Sequence, residues 1–428
     1  MEKGKKNIRV ISWEKQNMNL TYDKLQDLER RLGDSWYILD LDRFVANYND
    51  FLAAFRKYYP NTQIAYSYKT NYTPLLGKTV NELGGYAEVV SEMEYLLAID
   101  IGVQPENIIV NGPYKPYRAL ELYLESGSVV VLDSYQEYKD TIQIAKSNHG
   151  KPLRVGLRCN FPLSGYPNSR FGFDINNPKF YDIARELSLN NNIVLEGIHS
   201  HFPYRDVNTF YERVERMFEV YDNVSEFCDL KFIDMGSGLG GRTSDELVKL
   251  LGIKKVDYQD YADVVAHQFQ KRFGAGEQAP QLIMEPGTAL VADTMSYICK
   301  VIEIKKVGDS NIAITSGSKV NYHSRTSKLN MPIQVYSDGH QASDHLDSAD
   351  ISGYTCMEED YIYRAYQGNL KIGDYIRVDN VGSYSIVFKP PFINPNVPII
   401  AYSKGSYDVI KEAEDFEYVF QLYKRKTK

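Results

Sequence analysis

Of 428 residues only two are Trp and four are Cys, and Cys159, Cys228, Cys299 and Cys356 lie far apart. No CxxC pair exists, so neither a zinc site nor a disulfide framework is indicated. Excess positive charge is missing too: 49 Lys and Arg stand against 56 Asp and Glu, a net charge of −7. A protein built to neutralise nucleic-acid phosphates runs the other way, so no nucleic-acid partner is expected. No apolar run approaches the roughly 20 residues needed to span a bilayer, and no membrane partner is expected. The opening Met1–Asn7 is basic but leads into no apolar core of a secretory signal, so a cytoplasmic location is expected. Internal repeats and low-complexity tracts are absent as well. What is there is ordinary globular composition, 43% hydrophobic and 25% charged, with one excess: 35 Tyr against 18 Phe. Tyr joins a packing ring to a hydroxyl, which suits polar pockets or is merely a compositional habit.

Two textures divide the chain. From Trp36 to Leu290, β-rich runs alternate with amphipathic stretches. The strand candidates are Tyr37–Asp42, Gln63–Tyr68, Tyr86–Ser91, Ile108–Gly112, Ser128–Ser134, Arg154–Asn160, Val194–Phe202, Phe232–Gly236 and Gln281–Glu285. Many are near-continuous apolar runs, the pattern of strands covered on both faces. Between them lie the helical candidates Leu75–Leu83, Pro116–Glu125, Tyr211–Cys228 and Tyr258–Arg272. Strand-then-helix repeated about eight times over roughly 250 residues predicts an α/β fold, a (β/α)8 TIM-like barrel. After Asp293 the runs Met295–Lys306, Asn311–Ser316, Pro332–Tyr336, Tyr375–Asn380 and Tyr418–Tyr423 are separated by Gly, Asp and Asn. They predict a C-terminal antiparallel β-barrel or sandwich domain completed by the N-terminal segment. Ser337–Tyr354, rich in Asp, Ser and His, is expected to be an exposed loop. The expected domains are a barrel over 36–293 and a β domain of 1–35 and 294–428.

Such a barrel carries its site at the C-terminal ends of its strands, so polar residues where strands stop are the candidates. Lys69 ends one run; desolvation there lowers an amine pKa and suits Schiff-base chemistry, although a snorkelling surface Lys reads the same way. Glu88 and Glu94 lie at the next strand end, as partners for Lys69 or as solvated acids. His199 and His201, two apart, share a strand face. A metal pair needs a third ligand that the spacing does not offer, so no metal is expected, and ring stacking or a structural role remains. The turn Asp234-Met235-Gly236-Ser237-Gly238-Leu239-Gly240-Gly241 can turn its amides to a phosphate, or be a plain flexible turn. It formally matches GxGxxG, but its late position and the absence of a following strand for about 40 residues speak against a nicotinamide oxidoreductase. Glu285, followed by Pro286 and Gly287, suits a protonated heterocyclic nitrogen. Cys356-Met357-Glu358-Glu359-Asp360 offers a thiol or proton donor, or a small buried hydrophobe, and Gly382-Ser383-Tyr384 adds a hydroxyl.

Taken in order, Tyr-x-x-Lys-x-Asn ending at Asn71, Ser169-Arg170-Phe171-Gly172, His-x-His, the glycine turn, Glu-Pro-Gly, Cys-x-x-x-Asp and Gly-x-Tyr form one series. The chain resembles the pyridoxal-phosphate-dependent decarboxylases of the alanine-racemase-like barrel group, the diaminopimelate/ornithine decarboxylase family, from about residue 36 to 415. The resemblance implies that Lys69 holds pyridoxal 5'-phosphate as an internal aldimine, with Glu88 beside it. It implies that His201 stacks on the pyridine ring and that Glu285 keeps its nitrogen protonated. Gly236, Ser237, Gly238 and Gly287 would bind the phosphate by backbone amides, with the Tyr384 hydroxyl. Cys356 would reach the partner's cofactor across a homodimer with shared active sites and serve, with Lys69, in protonating Cα after CO2 leaves. Substrate contacts would come from Arg170, Tyr336, Glu358 and Asp360. The implied activity is a carboxy-lyase acting on an amino acid or its conjugate through a quinonoid intermediate.

The departures bear on substrate. Thr288 stands where the family has Arg; Pro203-Tyr204 replaces Gly-Ser, with Arg205 or Arg170 as compensating cations; and Met357 replaces an acid, with Glu358 next to it. In Met331-Pro332-Ile333-Gln334-Val335-Tyr336 the Arg of the family's Arg-Pro-x-x-Tyr is missing and the Tyr is one position late. These departures count against diaminopimelate itself, and a larger or modified amino acid is expected at least equally. The alternatives are an amino-acid racemase, which shares barrel and cofactor but usually has Arg at the ring nitrogen, and a non-catalytic pyridoxal phosphate-binding protein. Tyr66, Tyr68, Tyr204, Tyr336 and Tyr384 are the Tyr residues expected around the ring and phosphate.

Overall fold

The computed structural model describes residues 18–148, 150–243, 247–249, 252–274, 276, 279–322, 330–339 and 344–424. Met1–Asn7, on which the reading of the N-terminus rested, lies outside the described residues.

The barrel is a closed ring of eight parallel strands. They are Thr62–Ser67, Tyr86–Val89, Ile108–Val110, Val129–Leu132, Leu153–Asn160, Ile193–His199, Phe232–Asp234 and Gln281–Met284. The ring closes where Gln281–Met284 pairs with Thr62–Ser67. Val129–Leu132 is buried along its whole length, which is why its run is apolar without alternation. Ala65, Ile109, Val129, Val131, Phe232 and Ile283 form one apolar cluster contributed by these strands. A Cβ at Gly197 would stand 2.3 Å from the Phe232 ring, so glycine there admits the ring. The outer helices follow their caps and stripes. Tyr258–Phe273 starts at a capping box of Asp257 and Asp260 and buries Tyr261, Val265 and Phe269. Each such apolar side chain contributes about 1.5–3 kcal/mol on burial.

The second sheet has nine strands. Ser35–Asp40, expected to be a barrel strand, belongs to it: it pairs antiparallel with Met295–Val307 and parallel with Ile399–Ser403. A strand followed by a helix reads alike whichever sheet it joins, and the barrel region gives up the first strand expected of it. The sheet is mixed rather than antiparallel, since Ser310–Thr315 also pairs parallel with Asp344–Ser352. That last strand lies in the stretch expected to be a loop; its polar residues mask it, and pairing with Tyr361–Leu370 defines it. Tyr418–Tyr423 is not a strand. Phe416–Phe420 forms a short helix because the Asp415 carboxylate accepts from the Tyr418 amide at 2.7 Å. The N-terminal segment does join this domain, as Leu25 and Leu28 of the helix Tyr22–Leu32 pack with Trp36, Ile298 and Tyr375.

The two sheets meet beside Lys69. Asn71 Nδ2 donates to the Gly382 carbonyl at 2.9 Å, and the Tyr384 amide donates to the Thr70 carbonyl at 2.9 Å. A Cβ at Gly382 would lie 1.7 Å from the Val291 carbonyl oxygen, so this contact admits only glycine. Among the described residues no helix is long and apolar enough to cross a membrane.

Candidate active site

Lys69 sits in the single turn Tyr68–Thr70 that ends its strand, braced by the Tyr66 hydroxyl donating to the Asn71 carbonyl at 2.7 Å. Its Nζ donates to Glu88, which is fully buried on the neighbouring strand. Asn111, at the end of the third strand, donates through Nδ2 to Glu88 at 3.2 Å and to Glu285. Sequence reading missed Asn111, although it occupies the same strand-end position as the acids. One amide thus couples the carboxylates that end the two strands flanking that of Lys69.

The charges follow. Burial works to lower the Lys69 pKa, but Glu88 and Glu285 outweigh it and the net shift is upward. The expected lowering by desolvation is corrected: Lys69 is an ammonium here. Burial likewise raises Glu285, yet His199, with Nε2 at 3.5 Å, and Lys69 hold it below the usual carboxylate range. Asp234 goes the other way: burial and the Glu285 charge push it well above its ordinary value. Asp234 accepts one amide bond, from Gly236 at 2.8 Å, and, buried beside the ionised Glu285, it keeps the proton. His201 is depressed well below 6.5, first by burial and then by Lys69. Its Nδ1 accepts from the Ser237 amide at 3.1 Å, which places the ring proton on Nε2. The two histidines do not act as a pair: His199 joins Asp234 and Glu285, with candidate ligand atoms within 4.8 Å of one another, while His201 faces the glycine turn.

The glycine turn is partly spent on itself. The Gly236 and Ser237 amides, expected to face phosphate, donate to Asp234 and His201 instead. Gly240 donates to the Tyr261 hydroxyl at 2.9 Å. Among the described residues the Gly238 and Gly287 amides have no such partner. Gly236 and Gly238 hold φ of +61° and +97°, and a Cβ at either would lie 2.4 Å from a backbone oxygen. An amine 30% exposed, a neutral imidazole, a buried ionised carboxylate and a glycine turn with a free amide fit a pyridine aldehyde bearing a phosphate.

A family model described as pyridoxal-dependent decarboxylase, pyridoxal binding domain, matches residues 45–292. The chain belongs to this family. It is a pyridoxal-phosphate-dependent carboxy-lyase. It is 25% identical over 417 residues to the diaminopimelate decarboxylase of Aquifex aeolicus, covering 93% of each chain. It is 27% identical to the L-glutamyl-[BtrI acyl-carrier protein] decarboxylase of Niallia circulans, covering 92% and 94%. The crystal structure of diaminopimelate decarboxylase from Methanocaldococcus jannaschii superposes with a TM-score of 0.81 at 21% identity, covering 93% of each chain.

The other expected site residues of the decarboxylase divide between the β domain, the barrel loops and the junction beside Lys69. Asp360 is buried and accepts from Ser318 Oγ at 2.9 Å, the Lys319 amide at 2.9 Å and Thr355 Oγ1 at 2.6 Å. It braces the Cys356 loop, and its acceptor capacity is used there, which corrects its substrate role. Tyr336 packs on the small core around Trp36 and donates to Gln334 at 2.8 Å, away from the Lys69 cluster. Cys356 and Glu358 are exposed on the β domain. Arg170 is exposed, its guanidinium 4.0 Å from the Phe171 ring centroid. Tyr384, with φ of +62°, stands at the junction and stacks on Phe388.

Buried cations were missed as well, Arg158 and Arg213 among them. Arg158 Nη1 donates to Asp133 at 2.8 Å at adjacent strand ends. Arg213 lies on the helix Asn208–Ser225, three residues past Phe210, on a stripe otherwise made of Val214, Met217, Val220 and Val224. A charge inside an apolar stripe was the available signal.

Glu94 has a separate consequence. Buried beside Lys69 and Glu88, it accepts the Val90 amide at 2.7 Å, and desolvation first, then Glu88, push its pKa up to about 7. The folded value lies above the ordinary 4.5, so the stabilisation is full below that value and is lost as pH rises through 7. Between pH 5 and pH 8 the wild type should lose on the order of 2–3 kcal/mol relative to Glu94→Gln, measured by denaturant unfolding.

Proposed function

We propose that the decarboxylase removes the α-carboxyl group of an amino acid that is larger than diaminopimelate or conjugated at its far end. We further propose that it works as a cytoplasmic homodimer with shared active sites. The observation that carries decarboxylation over racemisation is Glu285, an ionised carboxylate at a strand end, where a negative charge favours a protonated ring nitrogen. Pyridoxal phosphate, when bound, supplies an electron-withdrawing ring that accepts the electron pair left by CO2. Lys69 supplies the amine, and Glu88, in contact with Nζ, is the base placed to take its proton. Asn111 keeps the Glu88 and Glu285 carboxylates in fixed relation. Neutral His201 offers a flat ring face without adding charge. The Gly238 and Gly287 amides are left to hold the phosphate.

For the protonation at Cα, Cys356 is our candidate donor, from the partner subunit. Its exposure on the β domain suits a residue that acts on a second copy. Support for a conjugated substrate comes from Thr288, Met331 and Met357, none of which offers charge to a free far amine or carboxylate. A relative whose name specifies an L-glutamyl group on an acyl-carrier protein points the same way.

The test is CO2 release by the purified enzyme with pyridoxal phosphate, across free amino acids and amino acids amidated or thioesterified at the far end. Turnover of conjugates above free diaminopimelate is expected; preference for diaminopimelate overturns the substrate reading. Mixing inactive Lys69→Ala and Cys356→Ala proteins should restore activity through hybrid dimers. No recovery on subunit exchange contradicts the shared site.

A further inference from the structure

Arg213 is completely buried, yet among the described residues no carboxylate forms an ion pair with it. Its guanidinium lies 4.2 Å from the Phe210 ring centroid and 5.4 Å from that of Phe202. Nη2 donates to the Tyr204 carbonyl at 2.7 Å, Nη1 donates to the Ser237 carbonyl at 3.2 Å, and Nε has no partner among the described residues. The acid that bears on it most, Asp206, is exposed and accepts from the Asn208 amide at 3.0 Å. A buried cation without a counter-charge is costly, and a fold that needed only to fill this space would use an apolar side chain. The charge therefore calls for an anion.

The geometry says where that anion belongs. Ser237 C=O and Gly238 N–H are two ends of one peptide unit. In the turn, the Gly236, Ser237 and Gly240 amides are already donated within the chain, and the Gly238 amide is not. A cation on the carbonyl end polarises the unit and strengthens the N–H at the other end as a donor. A Cβ at Gly238 would meet Phe202 O at 2.4 Å and Arg213 Nη1 at 3.1 Å, so glycine lets this backbone lie directly on the guanidinium. Burial lowers the Arg213 pKa only to about 10, so the charge is present at neutral pH.

We propose that Arg213 is a positioning residue for the phosphate group of the cofactor, acting from behind the glycine turn through the Ser237–Gly238 peptide. The proposal rests on the pyridoxal phosphate reading of the site. It differs from a bracing role for Arg213, which would hold the Tyr204 and Ser237 carbonyls together whatever the ligand.

Equilibrium dialysis of the cofactor-stripped enzyme against pyridoxal phosphate and against pyridoxal separates the two. The wild type should prefer the phosphate ester strongly. Arg213→Met should weaken pyridoxal phosphate by at least about tenfold and leave pyridoxal nearly unchanged. Arg213→Lys, which keeps the charge, should retain most of the preference. Equal weakening of both ligands, or of neither, overturns the proposal in favour of bracing. Should Arg213→Met fail to fold, a folded Arg213→Lys without phosphate preference also overturns it. A wild type that binds neither ligand removes the cofactor reading itself, whereas a wild type that binds both with unaffected variants removes only this proposal.

Discussion

Replacing Lys69 by Ala should lower turnover at least about 10³-fold, and borohydride should no longer attach the cofactor covalently to the protein. In the wild type the same reduction should mark Lys69 alone, readable by peptide mass. The variant also strips the cation from Glu88, which is fully buried and, among the described residues, keeps only the Asn111 bond at 3.2 Å. A drop in stability is therefore expected beside the loss of activity. Lys69→Arg separates the two effects: it retains a cation beside Glu88 but has no amine to offer. Stability should recover in that variant and turnover should not. A Lys69→Ala enzyme within about tenfold of wild type would remove Lys69 from the chemistry.

Glu285→Gln should lower kcat by about 10²- to 10³-fold while leaving cofactor affinity within roughly tenfold. The amide keeps the shape of the side chain and can still accept from Asn111, so only the charge is lost. With that charge gone, Asp234 no longer faces a like charge, and its pKa should fall toward the ordinary carboxylate range. The pH profile of the residual activity should change accordingly, a signature that a merely unfolded or loosened site does not give. Unchanged kcat would mean that the charge at Glu285 does not matter to the electron sink.

Most of the barrel was legible because many of its strands are covered on both faces and run nearly apolar, as Val129–Leu132 does. The same signal misled at Ser35–Asp40, whose burial is equally complete in the other sheet. Partners, not propensity, decide which sheet a strand joins. Asp344–Ser352 was hidden for the opposite reason, as a strand carrying Asp, His and Ser. Tyr418–Tyr423 looked like a strand from its aromatic residues, but a local cap from Asp415 settles it as helix. In the site, Lys69, Glu88, His201 and Glu285 were legible as polar residues ending apolar runs. Asn111 and Arg213 carry no motif, and their only signals were a strand-end position and a charge inside an apolar helical stripe. Which turn amides remain free was invisible too, because it depends on the side chains of Asp234, His201 and Tyr261 folding back onto the loop. Sequence order also could not separate Asp360, which braces a loop, from the exposed Cys356 four residues before it.

The central claim is that the Lys69–Glu88–Asn111–Glu285 array directs carbon dioxide loss rather than inversion at Cα. It is tested most directly by running the reaction in D2O with a substrate found by the CO2 screen. Released CO2 and product are then counted alongside the deuterium content of recovered substrate. The account predicts one CO2 per amine formed, one solvent deuterium at the former Cα, and recovered substrate without exchange. Deuterated, racemised substrate with no CO2 would contradict it.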